Sequence, residues 1–167
     1  MNIKEISNII DLNMGSLEKY LSSILFAALF IVFLINIIAR YFFTAILWGY
    51  ELSLLLFLWI TIFGSCYANR LDENIKFDSF YMSGSAKRRY IFDIVGSLLV
   101  ITTFTISLIP SIDYINFLNF ESSDTLPFKM NQIFSVYIYF VIVMIIQYAK
   151  KLIISIRGLF LSNYYRG

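Results

Sequence analysis

Four apolar runs, each close to twenty residues long, constrain this chain more than any other feature. They extend from about Leu21 to Ala39, Trp48 to Ala68, Tyr90 to Ile112 and Ile133 to Ala149, and Asp93 alone interrupts the third with charge. A helix of roughly 20 apolar residues crosses the ~30 Å hydrocarbon core of a bilayer. Backbone polar groups in lipid must be satisfied within the segment, so each run is expected to be a helix. Composition agrees. Hydrophobic residues make up 59% of the chain and charged residues 14%, against roughly 45–50% and about 25% in a soluble domain. Mean hydropathy is +0.76. The 167 residues therefore read as one all-α integral membrane domain of four transmembrane helices.

Basic residues in the flanks set the expected orientation. The N-terminal tail holds Lys4 and Lys19. The middle loop holds Arg70, Lys76, Lys87, Arg88 and Arg89, and the C-terminal tail holds Lys150, Lys151, Arg157 and Arg166. With four spans these three regions share one side, while the other side holds only Arg40 and Lys129. Both termini are thus expected to be cytoplasmic. About twenty residues precede the first apolar run, and Arg40 follows it without a small-residue cleavage site. The run reads as a retained signal-anchor. Two flanking segments look amphipathic and suited to lying on the cytoplasmic leaflet. In the tail, Ile3, Ile6, Ile9, Ile10 and Met14 recur at helical spacing. In the middle loop, Ile75, Phe77, Phe80 and Tyr81 are interleaved with charge.

The chemical inventory excludes several classes. There is no histidine, so His-based haem or metal ligation and a His general base are ruled out. A single cysteine, Cys66, forms neither an internal disulfide nor a Cys-x-x-Cys pair. Gly64, Gly84 and Gly96 are isolated rather than part of a phosphate loop. A net charge of +2 is too small for a nucleic-acid partner.

The second run carries the most detailed pattern. At 100° per residue, Trp48, Glu51, Leu55, Trp59, Ile62 and Cys66 fall in one stripe. Ser53, Thr61, Gly64 and Ala68 fall opposite, and small residues let another helix approach closely. Trp48 sits at the helix end, where tryptophan is common at the interface. Trp59 lies eleven residues further in, about 16 Å down the axis. An indole at that depth needs a hydrogen-bond partner and is expected to face protein. Arg40 and Glu51 flank a short connection near the outer surface. They are expected to pair with each other, with polar groups of a partner, or to snorkel independently. Asn36, one turn before Arg40, would extend the network. Asp93 is expected to open the third helix and offset its dipole, beside Lys87, Arg88 and Arg89. Pro110 is expected to mark an exit or a kink.

No nucleophile with a base, and no convergent pair of acids, is visible in the spans, so an enzyme is not expected. The charges cluster near the span ends, and no inverted repeat of broken helices appears, so a self-contained ion pathway is not expected either. The pattern is that of a packing protein serving a larger partner.

Residues Ile35 to Asp78 resemble the small membrane subunit (DctQ-like) of tripartite ATP-independent periplasmic (TRAP) transporters. The matching positions are Asn36, Arg40, Tyr41, Trp48, Glu51, Trp59, Gly64, Ala68, Arg70, Ile75 and Asp78, with Leu126 and Pro127 before the fourth span. Asn74 stands where the family usually has His, and the Pro often found early in the last span is missing. The resemblance implies a bacterial cytoplasmic (inner) membrane protein with two protein partners: a large membrane subunit and a periplasmic substrate-binding protein. It also implies sodium-coupled uptake of an organic acid such as a C4-dicarboxylate or sialic acid, with substrate and sodium sites in the large elevator subunit. This chain would then hold no cofactor, metal, catalytic or substrate-binding residue. It would stabilise the fixed scaffold among membrane lipids and help dock the binding protein. Two other readings fit the composition: a four-span accessory or assembly subunit of another complex, and a small membrane enzyme acting on lipids.

Overall fold

The computed structural model describes residues 3–42, 44, 46–71 and 86–164, with side chains for 11, 13–42, 44, 46–71 and 88–160. Its main elements are α1 (Ile3–Phe42), α2 (Leu47–Arg70), α3 (Ala86–Phe117), α4 (Met130–Phe134) and α5 (Val136–Tyr164). A 3-10 turn, Leu118–Phe120, ends α3. Among the described residues four helical stretches are long and apolar enough to cross a membrane: Asn13–Phe42, Leu47–Arg70, Arg88–Phe120 and Met130–Phe160.

The helices outrun the apolar runs that reveal them. The N-terminal tail continues the axis of the first span, so α1 is one helix of 40 residues rather than a span with a separate interfacial helix. Which face Ile3, Ile6, Ile9 and Ile10 present lies outside the described side chains, and Met14 is half-buried. The third helix begins before Tyr90, which puts Asp93 in its second turn or beyond rather than its first. Pro110 lies inside α3, which runs on to Phe117, so it does not mark the exit. The fourth span is divided at Ser135 into α4 and α5. The middle-loop expectations for Asn74, Ile75, Lys76, Phe77, Asp78, Phe80 and Tyr81 lie outside the described residues.

Packing follows the order α1–α2–α5–α3. The α1/α2 and α3/α5 hairpins are the two broad contacts, and a narrower α2–α5 seam joins them. This is an open row of helices, not a closed bundle. None of the apolar window of α1 is buried within the chain, against 22% of that of α5, so α5 is the most internal helix and α1 an outer edge. The core is correspondingly thin: Leu56, Ile62 and Cys66 of α2 lie buried, as do Val141, Val143 and Met144 of α5. Phe63 stacks at a tilt on Tyr139 across the seam, with ring centroids 5.6 Å apart.

Candidate functional site

Arg70, the last residue of α2, gathers three helices. Its Nε and Nη2 donate to the two carboxylate oxygens of Glu18 on α1, at 3.0 and 2.8 Å. Its Nη1 donates to Asp11 Oδ1 at 3.0 Å. Asp11 also accepts from Lys150 Nζ of α5, at 2.5 and 2.7 Å. The Tyr139 hydroxyl donates to Glu18 Oε1 at 3.1 Å. Two acids and two bases thus balance.

The balance matters because Glu18 is only 2% exposed. A carboxylate buried without partners costs several kcal/mol, which a two-pronged guanidinium contact offsets. Gly15 makes the contact possible. A Cβ there would lie 2.9 Å from Arg70 Cδ, so a larger residue would push the arginine stem away from α1. Beside this cluster Asn69 Nδ2 donates to Gln147 Oε1, and Gln147 Nε2 donates to the Cys66 carbonyl at 3.2 Å. Asp93 meets Lys151 of α5 at 3.9 Å.

Arg70 is legible in the sequence but its partners are not, because convergent acids are sought there only within the apolar spans. Asp11 and Glu18 do converge, on the guanidinium. The available signal was Asp11, Gly15 and Glu18 spaced four and three apart, one face of a helix. It becomes legible only once the tail is read as part of the first helix.

At the opposite end, Glu51 does not meet Arg40. Its carboxylate accepts from the hydroxyls of Ser123 and Thr125 and from the Thr125 amide, the last at 3.1 Å. The loop that supplies these donors is itself closed. Ser123 N donates to Phe128 O at 3.0 Å, Met130 N to Glu121 O at 3.1 Å, and Leu126 N to Ser123 Oγ at 3.0 Å. Leu126 and Pro127 lie inside this turn. Glu51 therefore ties the start of α2 to the connection before α4. Along α2 it stands nineteen residues from Arg70, about 28 Å, close to the thickness of the ~30 Å hydrocarbon core.

Asn36 does not extend an Arg40–Glu51 network either. Its Nδ2 donates to Ser53 Oγ at 3.5 Å, and Ser53 Oγ donates to the Gly49 carbonyl at 2.7 Å. A Cβ on Gly49 would lie 1.9 Å from Asn36 Oδ1, so glycine there leaves the room that the Asn36 amide fills. Trp48 is 43% exposed at the helix end. Trp59 Nε1 donates to the Ile133 carbonyl at 3.1 Å, two residues before the break at Ser135. It faces protein, and the protein it faces is this chain.

The two faces of α2 differ. Ile62 and Cys66 of the large stripe are buried against the rest of the row. On the other side a Cβ at Gly64 would meet no atom of the described residues within 4 Å. Tyr50, Leu54, Phe57, Thr61, Gly64 and Ala68 recur at alternating spacings of four and three, the period of a helix–helix seam. The first four are exposed and the last two partly so. The upper half of this seam is bulky and the lower half small.

These contacts hold helices together at both ends of a thin row. They define a multi-pass membrane protein whose described polar clusters join its own elements and whose second helix presents a ridged outer face. The family follows from the sequence match: residues 29–158 fit the model of the DctQ component of tripartite ATP-independent periplasmic transporters, and the chain belongs to that family. It is thus a small membrane component of a TRAP transporter. No curated protein matches it at a significant level.

Proposed function

We propose that this chain is the scaffold subunit of a sodium-coupled TRAP transporter for organic acids in the bacterial cytoplasmic membrane. The family match over residues 29–158 carries the reading. In it a large membrane subunit holds the substrate and sodium sites and moves them, while this chain enlarges the part that stays still. It binds no cofactor and catalyses no reaction. A periplasmic binding protein delivers the substrate to the outer surface, taken from the basic-residue bias as the side of the α1–α2 turn and the loop around Ser123.

The geometry supports this role. An open row presents a wide front to the bilayer and tilts less easily than a single helix, and interfacial residues such as Trp48 fix its depth. The small half of the α2 seam, Thr61, Gly64 and Ala68, gives the large subunit a place to pack closely.

Reconstitution tests the reading. The large subunit and the binding protein are placed in vesicles with and without this chain, and uptake of radiolabelled organic acids is followed under an inward sodium gradient. Uptake should require the chain and the gradient together. Equal uptake without the chain, or transport by the chain alone, would overturn the proposal.

A further inference from the structure

Arg40 is a motif residue that no contact among the described residues accounts for. It is exposed, and neither it nor Tyr50 has a hydrogen bond or ion pair among the described residues. Both line a groove of about 360 Å³ between α1 and α2. Below them Asn36 and Ser53, bonded to each other, form one polar spot, and the rest of the wall is apolar: Leu29, Phe33 and Ile37 of α1, and Leu54 and Phe57 of α2. Leu29 and Arg40 are eleven residues apart, about 16 Å along the helix, and one leaflet of hydrocarbon is about 15 Å deep. The groove therefore runs the depth of one leaflet and carries a cation at its mouth.

The geometry points to a phospholipid site, with the lipid phosphate on the Arg40 guanidinium and one acyl chain in the trough. A guanidinium matches phosphate oxygens in a two-pronged geometry, and the Tyr50 hydroxyl offers a further donor at the same level. Glu51, the nearest acid in sequence beyond the turn, forms no ion pair with Arg40, and its carboxylate is turned to Ser123 and Thr125. A lipid of net negative charge is thus preferred over a zwitterionic one. The order of chemistry, anion at the rim and hydrocarbon below, is that of a membrane lipid. A soluble protein partner does not reach 16 Å into the bilayer interior. The site needs only that the chain is embedded, and it stands or falls independently of the scaffold role.

Native mass spectrometry of the detergent-purified full chain, titrated with phosphatidylglycerol or phosphatidylcholine, reads the site directly. Wild type should hold one phosphatidylglycerol, and Arg40→Gln should weaken it by about tenfold, the effect of losing one charge-assisted contact. Arg40→Lys should bind at an intermediate level. Leu54→Trp fills the trough at an exposed position and should weaken both lipids, whereas Arg88→Gln at the opposite end should change neither. Inorganic phosphate at millimolar concentration should not displace the lipid. A photo-crosslinking residue at Leu54, in membranes containing the whole transporter, should label phospholipid. Undiminished binding in Arg40→Gln, displacement by phosphate alone, or labelling of protein only at Leu54 would overturn the assignment.

Discussion

The two ends of the helical row handle charge in opposite ways. At the end bearing the termini, Asp11, Glu18, Arg70 and Lys150 neutralise one another across α1, α2 and α5. At the end bearing the α1–α2 turn, the acid Glu51 is held by neutral hydroxyls and an amide, and Arg40 is left facing outward. One end is closed on itself. The other keeps a cation available to something outside the chain. In so thin a row the closed cluster is a polar contact that joins α1, α2 and α5 at one end.

The largest effect should come from opening the closed end. Arg70→Met leaves Glu18 buried and Asp11 short of a partner. Breaking a buried pair in this way costs roughly 3–5 kcal/mol. Thermal unfolding in detergent should show a marked loss, and the double variant Glu18→Met/Arg70→Met should be more stable than Arg70→Met alone. A double variant no better than the single would mean that the pair does not act as a unit. Gly15→Val should follow in size, because the added side chain displaces the Arg70 stem. Hydrogen exchange in the first turns of α1 is its readout.

Smaller losses are expected where one hydrogen bond is removed. Trp59→Phe keeps the ring but strands the Ile133 carbonyl, at a cost of about 1–3 kcal/mol. The loss should appear as faster exchange around the α4–α5 break. Glu51→Gln weakens charge-assisted bonds at the exposed end, and its effect should be confined to faster proteolysis of the 121–130 loop. If it destabilised the chain as much as Arg70→Met, the contrast between the ends would collapse.

The spans were legible because lipid imposes a long, uniform apolar demand that few other folds make. Trp59 was legible for a related reason, since an indole at that depth needs a partner. The helix ends were not, because hydropathy stops at the membrane surface while the backbone continues, as α1 does through Asp11. The same blind spot concealed Glu18, which looked like tail. Arg40 and Glu51 misled through proximity in sequence. The carboxylate found its donors at Ser123 and Thr125, more than seventy residues away, and small hydroxyls on a loop leave no periodic signal. Gly49 carried no signal in the sequence, yet a Cβ there would meet Asn36 of α1, whereas at Gly64 it would meet no described atom within 4 Å.

That open space gives the scaffold role its sharpest test. Gly64→Leu adds a side chain where no atom of the described residues lies within 4 Å of the new Cβ, so the chain itself should remain as stable as wild type. Co-purification of the large subunit through a tag on this chain is the measurement. Thermal stability should be unchanged while most of the recovered large subunit is lost. Equal recovery of the large subunit by wild type and Gly64→Leu would contradict the scaffold role.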